Sequence, residues 1–262
     1  MRLFDSHCHL DVDAFDGPEG VDLAVQRARD AGVQRMLAIG SGYGFESADR
    51  AVAVAERHPD VWASVGLHPH DAQEWTEERW AHLEALAAHE RVVALGEMGL
   101  DFHYDNSPRD VQREVFRHQI RRARALDKPI IIHDRDSAGE TMSILDEEEA
   151  WKGCGVVYHC FTGNVATMQQ IVERGGFISI PGIVTFKNAG EMREVATLVP
   201  MDRFFIETDS PFLTPVPFRG KRNEPARVEL VAEKVAELRG MKASDVAEQT
   251  WLNASAFFGL ST

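Results

Sequence analysis

Six residues able to bind a metal ion recur at the same kind of place in the chain. They are His7 and His9 in FDSHCHLD, Glu97 in ALGEMG, His133 closing PIIIH, His159 closing VVYH and Asp209 in IETDSP. Each falls in or just after a short run of apolar, β-favouring residues, where a strand leaves the core. Side chains alternate between faces along a strand, so His7 and His9 point one way and Cys8 the other. Both imidazoles can then reach one ion, and Cys8 is left to packing. Taken alone, a His-x-His pair is more often two ordinary histidines on a strand; the other four donors shift that balance. Four neutral imidazoles and two carboxylates suit zinc, manganese, cobalt or iron better than calcium, and a carboxylate bridge with waters admits magnesium. Six donors exceed the need of one tetrahedral ion, so the set predicts two divalent ions, Zn2+, Mn2+ or Mg2+. Held about 3.5–4 Å apart and sharing Glu97 and a hydroxide, such a pair activates water and clamps an in-line displacement at phosphorus.

The elements that must position these donors read as alternating strands and helices. Strands are predicted at 3–7, 35–39, 61–66, 92–97, 129–133, 156–159, 177–181 and 204–209. Helix-like segments with apolar residues at helical spacing cover 21–31, 77–89, 108–126 and 165–173, with two more at 226–238 and 243–257. Eight βα units over about 250 residues predict one TIM-type (β/α)8 barrel domain spanning 1–262, with an additional C-terminal helix. In such a barrel the site is built at the carboxyl ends of the strands, so all six donors converge on one mouth. The rival, an open doubly wound sheet, lacks a GxGxxG after its first strand.

Composition sets limits on function. The 262 residues carry 28 Lys+Arg against 42 Asp+Glu, a formal net charge of −14. That argues against holding nucleic acid by bulk charge, since such domains show a basic footprint. Two divalent ions beside Glu97, Asp209 and a hydroxide nevertheless leave the site itself at roughly +1. A chain of this size builds a core without disulfide or metal, so any metal is there for chemistry. Three cysteines, Cys8, Cys154 and Cys160, fit a reducing compartment better than a disulfide scaffold. No apolar run approaches the roughly 18 residues of a membrane span, and the N-terminus is acidic and His-rich where a signal peptide is apolar. These features predict a cytoplasmic protein with no membrane partner, and no obligate protein partner is implied.

Further residues group around the predicted mouth. Asp209 is the expected proton acceptor for the attacking water. Glu207 shares its face of the strand, either supporting a ligand or substrate or simply filling a barrel layer. Arg135, two residues past His133, reaches either a phosphate or the acids beside it, Asp134 and Asp136. Arg219, Lys221 and Arg222 form a basic cluster after the eighth strand, where barrel enzymes often bind phosphate. Phe102, Tyr104 and Phe161 sit near strand ends and could stack on unpaired bases, each stack worth about 1–3 kcal/mol, with packing the role of at least one. Asp101 is placed to orient a ligand or water. His70 is expected in solvent, His58, His82, His89 and His118 on helices without chemistry, and Trp75, Trp80 and Trp151 in packing.

The blocks FDSHCHLD, VGLHPHDA, GEMGLDFHYD, KPIIIHDRDS, HCFTG and IETDSPFLTPVPFRGKRNEP follow one another over nearly the whole chain. In this order they resemble the signature of the TatD-type metal-dependent hydrolases, the TatD family deoxyribonucleases of the amidohydrolase-like superfamily. The resemblance implies a metallo-dependent hydrolase barrel with His7, His9, Glu97, His133, His159 and Asp209 as ligands. Glu97 takes the place where many related amidohydrolases carry a carbamylated lysine. The resemblance also implies contact between His68 and the scissile phosphate, making His68, Glu97, Asp209 and Glu207 the catalytic candidates. The implied activity is a 3′–5′ exonuclease acting mainly on single-stranded DNA ends. The alternative is a D-aminoacyl-tRNA deacylase, or another ester or amide hydrolase with the same binuclear site. A third reading, a metal-held scaffold in protein export or quality control, is the weakest, because a structural ion does not need six donors. Asp134, Ser137 and Met98 depart from the family pattern without removing a ligand.

Overall fold

A computed structural model describes residues 1–11 and 13–261 as strands and helices in alternation. The strands are β1 (Leu3–Cys8), β2 (Val33–Gly40), β3 (Val61–Val65), β4 (Val92–Asp101), β5 (Ile130–Arg135), β6 (Val156–Tyr158), β7 (Phe177–Ile180) and β8 (Phe204–Ile206). They follow one another through one sheet in chain order. The helices are α1 (Pro18–Asp30), α2 (Ser47–Arg57), α3 (Glu77–Ala87), α4 (Arg109–Ala125), α5 (Glu140–Glu147), α6 (Val165–Glu173), α7 (Gly190–Leu198), α8 (Val228–Arg239) and α9 (Ala243–Phe257). This is the (β/α)8 barrel fold that the sequence predicts, with α9 as the additional C-terminal helix. Among the described residues no helix is long and apolar enough to cross a membrane.

The chain divides into two compact units, Met1–Ala38 with His159–Thr262, and Ile39–Tyr158. In the first unit β1 pairs in parallel with β2, β7 pairs with β8, and a parallel bridge joins Cys8 to Ser210. Phe177 and Phe205 stack with ring centroids 5.0 Å apart, and Phe257 at the end of α9 meets both at 5.1 and 5.2 Å. That aromatic cluster gives α9 an apolar place to dock. The Asn253 amide on α9 donates to the carbonyls of Met201 (2.8 Å) and Phe204 (3.0 Å), pairing backbone groups where β8 begins.

In the second unit β4 pairs in parallel with β3 and β5. β4 is longer than the sequence predicts. Glu97 is not its last residue, because pairing resumes after a register shift and runs through Gly99↔His133, Leu100↔Asp134 and Asp101↔Arg135. Gly99 permits that approach: at φ +148°, a Cβ would lie 1.9 Å from the His133 carbonyl oxygen. β6 and β8 are shorter than predicted, which leaves His159 and Asp209 on the connections that follow them.

α4 buries Gln112, Val115, Phe116, Gln119, Ile120 and Ala123, a helical stripe containing two amides. Each amide closes both backbone groups of one residue, as a neighbouring strand would. Gln119 accepts from Leu67 N (2.8 Å) and donates to Leu67 O (2.9 Å). Gln112 accepts from Asp101 N (2.9 Å) and donates to Asp101 O (3.1 Å). Gln119→Leu would leave a buried N–H and a buried C=O unpaired. It is expected to cost about 2–4 kcal/mol in urea unfolding of the whole chain; a loss below about 0.5 kcal/mol, the level of ordinary surface substitutions, would contradict this role.

Candidate metal centre

The first unit gathers His7, His159 and Asp209, whose ligand atoms all lie within 4.8 Å of one another. His7 belongs to β1, and the connection after β8 runs beside the end of that strand. Asp209 N donates to His7 O (2.9 Å), and His9 N donates to Ser210 O (2.7 Å). Asp209 sits at φ +52°, a region that Asp tolerates better than most residues. Its neighbour Thr208 is clamped by the buried Asp5 carboxylate, which accepts from Thr208 N (2.8 Å) and Thr208 Oγ1 (2.6 Å). The His7 and His159 rings stack at 3.9 Å and 8°, and His9 meets His7 at 73°. The Nε2 atoms of His7 and His9 lie 3.7 and 3.5 Å from Asp209 Oδ1. Burial pushes the Asp209 carboxyl upward, but His9, His7 and His159 outweigh it and hold the group below the usual carboxylate range. Cys8 points elsewhere, its Sγ donating to Leu37 O (3.3 Å).

Glu207 stands behind this set. Its Oε1 accepts from Cys160 N (2.6 Å) and lies 3.8 Å from His159 Nδ1. Among the described residues its Oε2 is buried without a hydrogen-bond partner. A buried carboxylate oxygen in that state is costly unless positive charge comes near it, which is what an ion on His159 would supply.

The second unit gathers His68, Glu97 and His133. Glu97 N is fixed by Ser41 Oγ at 3.1 Å. Hydrogen-bond partners set the tautomers of the two histidines. His133 Nε2 lies 3.1 Å from Asp101 Oδ2 and its Nδ1 2.9 Å from Glu97 Oε1, both carboxylate oxygens that only accept, so an ion between His133 and Glu97 would displace the Nδ1 proton and leave the Asp101-bound proton on Nε2. With an ion there, His133 would ligate through Nδ1. His68 turns its other nitrogen toward Glu97: its Nδ1 accepts from His70 N (3.0 Å), which leaves the proton on Nε2. Burial lowers His68 to about 4, with Glu97 opposing, so at neutral pH its ring is uncharged. Its Nε2 lies 3.3 Å from both Glu97 Oε1 and His133 Nδ1.

Asp101 joins this set to its surroundings. Oδ2 also accepts from His70 Nε2 (2.8 Å), while Oδ1 accepts from the backbone N–H groups of His103 (3.1 Å) and Tyr104 (3.0 Å). Burial raises its carboxyl, but the bonds from His133 and His70 prevail and hold it well below the usual range. His70, expected in solvent, is thus half-buried and tied to the network, because β4 extends far enough to bring Asp101 under it.

The remaining candidates are placed as follows. Arg135 is exposed at the end of β5, its guanidinium 4.8 Å from the Tyr104 ring centroid. Phe102 is buried, with Arg109 and Arg113 over it at 4.5 and 5.0 Å, and Phe161 is buried too. Neither offers a ring to a base; Tyr104, 54% exposed, does. Arg219 lies over Phe186 at 3.8 Å and donates to Thr214 O (3.0 Å). Arg222 pairs with Asp16 at 2.7 Å, and the Lys221 ammonium stands 5.9 Å from the Phe218 ring. The Arg219 head thus holds its own loop, and the Arg222 head ties that loop to the connection after β1. Sequence reasoning missed Phe212, half exposed with its ring 6.1 Å from that of His9. The only signal it gave was a large apolar residue three positions after Asp209.

The model of TatD related DNases matches residues 4–259. The chain belongs to the TatD-related DNase family. It is 44% identical over 259 residues to the uncharacterized metal-dependent hydrolase YabD of Bacillus subtilis, covering 99% of this chain and 100% of that one. It is 39% identical over 247 residues to the 3′-5′ ssDNA/RNA exonuclease TatD of Erwinia tasmaniensis, covering 91% and 93%. The crystal structure of YJJV, a TatD homologue from Escherichia coli K12, superposes with a TM-score of 0.88 at 27% identity, covering 99% of this chain and 98% of that one. The TatD-related family is one of metal-dependent hydrolases, and the donors here fit that chemistry: lone-pair imidazole nitrogens, buried carboxylates and one buried carboxylate oxygen lacking a partner. The Asp101 bond should raise the basicity of His133 Nδ1. Asp101→Asn is accordingly expected to weaken metal retention about 10–100-fold in chelator competition; unchanged retention in a folded variant would remove Asp101 from metal binding.

Proposed function

We propose that this chain is a metal-dependent phosphodiesterase that removes nucleotides from the 3′ end of single-stranded nucleic acid. One divalent ion, Zn2+, Mn2+ or Mg2+, is assigned to each ligand set. The observation that carries the reading is the two buried donor sets, His7, His159 and Asp209 with the neighbouring His9, and Glu97 with His133. The exonuclease named in Erwinia tasmaniensis supports the substrate class. Bound ions supply Lewis acidity at the phosphoryl group and lower the pKa of water.

The protein's own residues supply the rest. Asp209, kept ionised by three surrounding histidines, accepts the proton of the attacking water. His68, with its proton on Nε2, donates to a phosphoryl oxygen as charge builds there. Glu207, through its approach to His159 Nδ1, orients that ligand.

Digestion of end-labelled single-stranded DNA, single-stranded RNA and duplex with Zn2+, Mn2+ or Mg2+ tests this directly. A ladder shortening from the 3′ end of single strands is expected, abolished by EDTA and slowed about 10²–10⁴-fold by Asp209→Asn. No cleavage by folded, metal-loaded protein would overturn the reading in favour of ester or amide substrates, beginning with D-aminoacyl-tRNA. The tautomer argument adds a second test. His68→Ala should keep the full metal content while kcat falls about 10²–10³-fold, whereas His133→Ala should lose metal; loss of an ion from the His68 variant would make His68 a ligand after all.

A further inference from the structure

Beside Glu97 and His133 the chain presents an exposed ring whose backbone is held by the same carboxylate that holds His133. Tyr104 N donates to Asp101 Oδ1 (3.0 Å), and His133 Nε2 donates to Asp101 Oδ2 (3.1 Å). The backbone that carries the ring is therefore anchored to the same carboxylate as the ligand histidine. Three side chains surround it: Arg135 at 4.8 Å, His70 at 5.5 Å and 90°, and His103 at 4.8 Å and 88°. Even so it stays 54% exposed. The neighbouring aromatic, Phe102, already fills the packing position under Arg109 and Arg113.

Arg135 is held in the same way. It ends β5 two residues past His133 and is in register with Asp101. Its acidic neighbours are engaged elsewhere, Asp134 accepting from Thr141 Oγ1 (3.1 Å) and Asp136 pairing with His103 Nδ1 (3.0 Å). Among the described residues Arg135 forms no ion pair, and its guanidinium leans on the Tyr104 ring. A fixed, exposed aromatic carrying a guanidinium without a carboxylate partner matches one chemical class well. That class is a nucleotide with an unstacked base, whose π-face takes the ring and whose phosphate takes the cation.

We propose that Tyr104 and Arg135 form the subsite for the terminal nucleotide of the strand, Tyr104 stacking on its base and Arg135 meeting its phosphate. The proposal rests on the phosphodiesterase reading and adds that recognition requires a base of any identity. Every base has a π-face, so the subsite asks for a base without selecting one. A duplex end, with its base still stacked and paired, fits it less well.

The test compares two single-stranded oligonucleotides, one ending in thymidine and one in an abasic tetrahydrofuran residue. The unsubstituted, metal-loaded enzyme should prefer the thymidine end by about tenfold or more in kcat/KM. Tyr104→Ala should bring the two ends within about threefold of each other, a collapse in the stacking contribution, while Tyr104→Phe, which keeps the ring, retains the preference. Arg135→Ala should raise KM for both ends. Equal cleavage of the two ends by the unsubstituted enzyme would overturn the proposal, as would an equal slowing of both by Tyr104→Ala. Calorimetric binding of dTMP and of deoxyribose 5-phosphate to the metal-loaded protein reads the same contact without turnover. Tighter dTMP binding that Tyr104→Ala abolishes supports the subsite, and equal binding refutes it. Failure to cleave either end contradicts the phosphodiesterase reading, while the binding comparison still decides the subsite.

Discussion

Where a buried strand ends, its backbone N–H and C=O groups lose their ladder partners but remain out of reach of water, and each must be paired by something else. In this chain several of the partners are side chains, and the backbone they pair is the backbone that carries the site. Gln119 closes Leu67, next to His68, and Gln112 closes Asp101. Ser41 holds Glu97 N, Asp5 holds Thr208 beside Asp209, and Asn223 donates to the carbonyls of Thr208 and Phe212. The polar residues buried around each donor set are thus required by the fold, and positioning the ligands follows from meeting that requirement.

The same pairing fixes protonation. Asp101 and the His70 amide stand on opposite sides of the problem, one an acceptor that places a proton on His133 Nε2, the other a donor that places it on His68 Nε2. Two adjacent histidines would thereby have different chemistry, a lone pair for an ion and an N–H for developing charge. Sequence position alone does not distinguish them. Asp209 and Asp101 stay ionised although buried, because imidazoles crowd both. The local field is set by these arrangements, which is how a chain of net charge −14 can handle an anionic substrate.

Much of this was legible in the sequence. The motifs marked where strands leave the core, and period-two alternation separated His7 and His9 from Cys8. What was hidden has identifiable causes. β4 runs past Glu97 because Gly96 and Gly99 contribute no side chain to an alternating pattern, so the strand appears to stop. His70 was expected in solvent because its partner, Asp101, lies 31 positions away, and nothing local reports such a contact. The burial of Phe102 and the exposure of Tyr104 depend on where Arg109 and Arg113 fold back, which composition does not reveal.

Two sets of donors, each able to take an ion, make metal stoichiometry the most direct test. Native mass spectrometry of the purified chain saturated with Mn2+ or Zn2+ should show two ions per chain. His159→Ala should hold one, because the donors of the other unit are untouched. A single ion in the unsubstituted protein, or the loss of all metal on His159→Ala with the fold intact, would contradict the account.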